Sequence, residues 1–163
     1  MTEMTDAEVN AVDFAVVAYR DEGDWSVVPL PVRALDGIDA ISAELRRYPG
    51  ENGALALISV DEDFVLVVRV QATVVRVLLS DATAATDWAI ARSAVDHLGV
   101  HVGVDDEQAP AGDLGIVADL GFNAAEMAAL LDDYDLYPEE LLSEVAGRIG
   151  FGDKFDEIVD LSD

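Results

Sequence analysis

Residues Ala54–Leu79 read ALALISVDEDFVLVVRVQATVVRVLL. This stretch divides into three strand-like runs, Ala54–Val60, Phe64–Gln71 and Val74–Leu79, joined by Asp61-Glu62-Asp63 and by Ala72-Thr73. Connections that short suit tight antiparallel hairpins. Upstream, Asp13–Arg20 (DFAVVAYR) and Trp25–Leu30 (WSVVPL) flank the turn-forming spacer Asp21-Glu22-Gly23-Asp24 and predict another hairpin. Pro29 and Pro31 then place the end of that second strand at an edge or an exit.

On either side of the three-strand core the apolar period changes from two to between three and four. Ile38, Ile41 and Leu45 predict a helix over 36–48, with Asp36 as N-cap and Pro49-Gly50 as its stop. After the core, Trp88, Ala91, Val95 and Leu98 share one face of a helix capped by Thr86 or Asp87 and closed by Gly99. The order is β-β-α-β-β-β-α, an antiparallel sheet of about five strands similar to the profilin and roadblock arrangements.

Past this point the chain becomes helical and acidic. Asn123 with Glu126 forms a capping box for a helix to Asp132. Pro138, followed by Glu139 and Glu140, opens a second helix that runs to Ile149. Gly150 and Gly152 break it, and Phe155, Ile158 and Val159 mark a last short helix. Each piece is too short to stand alone, so a small bundle is expected, packed on itself, on the sheet or on a partner. The fold class is α+β, read as an α+β sheet domain over 1–100, an acidic linker over 101–112 and an acidic helical region over 113–163 that can pack on the sheet as one domain.

The charge follows this division. Of 163 residues, 34 are Asp or Glu and 9 are Lys or Arg, a net charge of −25. Residues 1–80 hold 14 acids and 6 bases, and residues 81–163 hold 20 and 3. Hydrophobic residues make up 52%, enough apolar surface to fold a chain that its charge alone would leave disordered. A phosphate backbone needs clustered cations, so direct nucleic-acid binding is not expected. The apolar runs are strand-length, well short of the ~20 residues of a membrane helix. The opening residues carry Glu3, Asp6 and Glu8 and no base, unlike a secretory leader, so a cytoplasmic protein is expected. Two chains of this charge repel, which predicts a monomer or a salt-dependent dimer.

Chemistry-bearing motifs are scarce. There is no cysteine, which removes disulfides, thiolate metal sites and thiol nucleophiles. His97 and His101 are four apart, but Gly99 ends the helix between them. Asp133, Asp135 and Glu144 match three positions of a calcium loop, yet Tyr137 and Pro138 stand where a ligand and a glycine belong. No nucleophile elbow, P-loop or dinucleotide fingerprint is present. No metal or cofactor is expected, and the chain is read as not an enzyme.

Two segments stand out. Leu79–Trp88, LSDATAATDW, carries Asp81, Thr83, Thr86, Asp87 and Trp88, which read either as a strand-to-helix connection or as a recognition loop. Asp132, Asp133, Asp135, Tyr137, Glu139 and Glu140 interleave tyrosine with acids around a turn, a pattern suited to a basic protein surface.

These segments, with GDLGIVADLG at Gly112–Gly121, RIGF at Arg148–Phe151 and FAVVAYRDEGDW at Phe14–Trp25, resemble the actinobacterial tRNA adenosine deaminase-associated protein family. The resemblance runs from about Phe14 to Phe155. It implies association with the enzyme that makes inosine at the tRNA wobble position, and it brings no catalytic or ligand-binding residues. The chain itself lacks the His-x-Glu and Pro-Cys-x-x-Cys elements of a zinc deaminase. The expected function is a non-catalytic accessory or regulatory protein whose acidic surface meets a basic partner, conceivably the deaminase. The alternative is a small-molecule or peptide sensor domain of the profilin or roadblock type, its pocket lying between helix 87–98 and the sheet.

Overall fold

The computed structural model describes residues 10–48, 53–103, 107–133 and 135–162. Its sheet comprises β1 (Val12–Asp21), β2 (Asp24–Pro29), β3 (Ala54–Val60), β4 (Phe64–Gln71), β5 (Val74–Leu79) and β6 (Ala111–Gly112). The strand order is β2-β1-β3-β4-β5-β6, and every pairing is antiparallel. The hairpins fall where the turn residues put them. Glu22 and Gly23 both adopt positive φ between β1 and β2, the backbone a two-residue turn requires.

β3 and β4 lie at the centre and are buried on both faces. Side chains alternate between faces along a strand, so each strand feeds two cores. Ala56, Ile58, Leu66 and Val68 point into one core, with α1 (Ile38–Leu45) and α2 (Ala89–Leu98). Leu55, Leu57, Val65 and Val67 point into the other. That second core is closed by the C-terminal segment: Ile116 and Phe122, then α3 (Ala124–Leu131), α4 (Pro138–Ile149) and α5 (Gly152–Ser162). Phe155 is fully buried edge-on to Phe14, 5.5 Å between ring centroids, and Phe151 packs on Trp25 at 4.8 Å.

One buried charge ties this layer down. Arg69 on β4 has no exposed side-chain surface, and its guanidinium donates to both carboxylate oxygens of Asp119, at 2.5 and 2.9 Å, and to the Ile116 carbonyl at 2.8 Å. The fork geometry matches a carboxylate, which is why arginine serves here.

The structure corrects several local expectations. The sheet has six strands, because Ala111–Gly112, within the stretch read as an acidic linker, pairs with Leu78 and Leu79. Ala82 N–H also donates to the Ala109 carbonyl at 2.8 Å, while Asp105 and Asp106 lie outside the described residues. Asp36 does not cap α1. The helix begins at Ile38, whose N–H donates to Ser93 Oγ of α2 at 2.9 Å. Gly37 makes that approach possible: a Cβ there would lie 2.9 Å from the same oxygen. The expected stop at Pro49-Gly50 lies outside the described residues.

Neither Thr86 nor Asp87 caps α2 through its side chain; both belong to a preceding 3-10 turn, Ala82–Thr86 with Asp87 at its end, and α2 starts at Ala89. The break between α4 and α5 falls at Gly150 as expected, and Gly152 is the first residue of α5, where a Cβ would lie 2.9 Å from Gly147 Cα. The Asn123–Glu126 capping box and Pro138 at the first turn of α4 form as expected.

Candidate functional site

The turn between α3 and α4 is shaped by its own acids. Asp133 Oδ1 accepts from Asp135 N–H at 3.2 Å, and Glu140 Oε1 accepts from Tyr137 N–H at 3.1 Å. These bonds use carboxylates to satisfy amides that a turn and a helix N-terminus leave open. They also fix what faces water. Asp132, Asp133, Asp135, Glu139 and Glu140 are exposed, and Tyr137 presents 62% of its surface. Tyr134 lies outside the described residues.

Three clefts surround this turn. The first, of about 580 Å³, runs between α4 and α5 past Leu130 and Leu136. The second, of about 380 Å³, separates Asp133, Asp135 and Tyr137 from Glu62, Asp63 and Ser80. The third, of about 580 Å³, lies between Glu139 and Glu140 on one side and Asp13 and Ser59 on the other. Among the described residues no Lys or Arg lines any of the three. The β3–β4 hairpin is thus part of the site, although its acids read in sequence as a turn alone. It is pinned by Asp13, whose Oδ2 accepts from Ser59 Oγ at 2.8 Å and from Glu62 N–H at 2.7 Å.

The segment 79–88 meets the site at Ser80, which lines the second cleft, and through its electrostatic field. Asp81 is buried, with Oδ1 accepting from Thr83 N–H at 2.9 Å and Thr83 Oγ1 at 2.6 Å; Thr86 Oγ1 donates to the Thr83 carbonyl. Trp88 packs on Phe64 at 6.1 Å, and the face of α2 toward the sheet is filled by Ile90, Ala91 and Ala94, none of which is exposed. The carboxyl of Asp63 is held above its ordinary range by desolvation first, then by Asp81, Asp61 and Asp87. A raised carboxyl pKa in the folded state weakens stability as pH rises through it. Asp63→Asn is therefore expected to raise the melting temperature at neutral pH, with the gain vanishing below about pH 4, where the carboxyl is protonated in both states. Thermal melts of both proteins across that range check it.

Among the described residues no group of His, Asp and Glu is placed to hold a metal ion, and no helix is long and apolar enough to cross a membrane. His97 lies in the last turn of α2, and His101 lies beyond the left-handed Gly99.

Fold and site together define an α+β protein with helices on both faces of an antiparallel sheet and an anionic, tyrosine-bearing crevice at one end. The comparisons give it a family. Residues 13–152 match the model of the Rv3753c-like tRNA adenosine deaminase-associated proteins. The chain is 35% identical over 151 residues to Protein Rv3753c of Mycobacterium tuberculosis, covering 90% of this chain and 87% of that one. It belongs to this family, which is named for association with the deaminase and not as the deaminase itself. No solved structure matches the chain.

Proposed function

We propose that this protein is a non-catalytic accessory or regulatory partner of tRNA adenosine deaminase, working in the cytoplasm, and that it binds a basic face of the enzyme through the acidic surface around Tyr137. The observation that carries this reading is the meeting of two clefts at one exposed tyrosine, with a third beside it past Glu139 and Glu140, all lined by carboxylates and, among the described residues, by no Lys or Arg. Tyr brings apolar contact area at low entropic cost, and complementary charge raises the rate of encounter. The absence of cysteine denies the chain a deaminase zinc site of its own. The family name supports the choice of partner.

Co-elution on a sizing column tests the reading. The wild-type chain is expected to travel with the deaminase, and Tyr137→Ala to lose about tenfold or more in affinity, as a central aromatic anchor does. Separate elution of two folded proteins at low salt would refute it.

A further inference from the structure

The groove between α4 and α5 has a shape and chemistry that specify its occupant more closely than charge alone. The two helices form an antiparallel hairpin: Gly147 lies against Gly152, and Ser143 Oγ donates to Asp156 Oδ1 at 2.6 Å. Along α4 the groove runs from Glu139 to Glu144, about 7.5 Å at 1.5 Å per residue, and it continues past Leu136 in the turn before the helix. Its floor is apolar, with half-buried Leu130 and Leu136. Its rims are acidic, with Glu140 and Glu144 on α4 and Asp156 and Asp160 on α5. Each rim places like charges at i and i+4, a spacing that disfavours the helix carrying them unless counter-charge is supplied.

The hairpin's own cations do not supply it. Arg148 pairs with Glu126 and rests over the Phe122 ring, and Lys154 donates to the Trp25 carbonyl. Both are at the other end of the hairpin, beside the α4–α5 turn.

A second observation, independent of charge, points to a protein surface. α3 reads AAEMAALL, apolar but for Glu126, yet only Met127 and Leu131 are buried and Ala124, Ala125 and Ala129 face solvent. A helix apolar on nearly all sides is ordinarily covered on nearly all sides. Leu130 of this helix opens into the groove.

We infer that the α4–α5 groove seats an amphipathic basic helix of the protein partner, with apolar residues on Leu130 and Leu136 and Arg or Lys toward the two acidic rims. An extended segment fits less well, because both walls are helices whose interior amides are already bonded, leaving no sheet edge to pair with its backbone. A helix satisfies its own backbone and repeats at the same i, i+4 interval as the rims. This rests on the accessory role proposed above and adds the place and form of the contact.

Calorimetric titration of the deaminase into variants tests it. The pair Glu144→Lys with Asp160→Lys is expected to weaken binding by about tenfold or more. The pair Asp39→Lys with Asp96→Lys makes the same charge change on the opposite helical layer and is expected to leave affinity within about threefold, since screening over a Debye length shields distant charge. Leu136→Ala, which keeps the charge, is expected to weaken binding as well, and circular dichroism shows whether each variant is folded. Hydrogen exchange on the deaminase should show one protected segment that is helical in the complex. If the wild type binds and the groove variants bind equally well, or if the protected segment is extended, the groove assignment is overturned while the accessory role stands. No binding by the wild type overturns both. A groove that instead mediates a salt-dependent dimer, lost in the Glu144→Lys, Asp160→Lys pair, would assign it to a second copy of this chain and overturn the proposal.

Discussion

Phe155→Ala is expected to lower the stability of the protein by about 3–5 kcal/mol, the usual cost of emptying a fully buried phenylalanine site. Domains of this size are stable by about 5–15 kcal/mol, so the variant sits close to the unfolding threshold. Phe155 has no exposed surface, and its ring meets Phe14 of β1 at 5.5 Å, joining α5 to the sheet. The two tryptophans report separately on the result. Trp25 packs on Phe151 in the C-terminal layer, and Trp88 packs on Phe64 beneath α2. If residues 113–163 fold with the sheet as one unit, each single-tryptophan variant, made by replacing the other tryptophan with Phe, gives the same midpoint in denaturant by fluorescence as by far-UV circular dichroism. A Trp25 signal that falls well before the circular dichroism of the same variant would separate the C-terminal helices as an independently unfolding region.

Asp119→Ala is expected to cost about 2–3 kcal/mol at neutral pH, somewhat below the 3–5 kcal/mol of a fully buried broken ion pair, because water reaches the half-exposed carboxylate side of this one. The variant leaves the buried Arg69 guanidinium without its carboxylate. Arg69→Met is expected to be milder, since it removes the buried charge together with its need for a counter-charge. The pH dependence identifies the mechanism. The Asp119 carboxyl is held below its ordinary range, chiefly by its hydrogen bonds from Arg69. A carboxyl lowered in the folded state stabilises fully above its unfolded pKa of about 3.9, and that stabilisation is lost as pH falls through the folded value. The gap between wild type and Asp119→Ala, measured by urea unfolding, should therefore be constant near neutrality and narrow in acid. A gap independent of pH would assign the loss to packing.

The strands were legible because apolar runs and turn residues agree at each hairpin. β6 was not, since two residues inside a polar loop carry no pattern of their own; pairing with Leu78 and Leu79 creates that strand. The caps expected at Asp36 and at Thr86 or Asp87 do not form, for a related reason. Ile38 takes its cap from Ser93, 55 residues away, and Asp81 engages the hydroxyl and amide of Thr83, winding the segment into a 3-10 turn before α2 can begin. Nothing local in the sequence marks Arg69, because its partner lies 50 residues downstream.

The candidate site divides the same way. The exposed acids and Tyr137 were readable from their interleaving at a turn. Asp13, Glu62 and Asp63 were not, because only the folded sheet sets the β3–β4 hairpin across a cleft from Asp133 and Asp135. The segment 79–88 has Asp81 turned inward to hold its own loop, and it reaches the crevice through Ser80, which lines the second cleft, and by raising the pKa of Asp63.

If acidic complementarity brings this chain to the deaminase, binding depends on salt. Titration calorimetry of the two purified proteins should show saturable binding that weakens by about tenfold or more between low salt and about 0.15 M ionic strength, where the Debye length is near 8 Å. Absence of heat at both salts with both proteins folded, or an affinity that salt does not change, would rule out binding driven by charge complementarity.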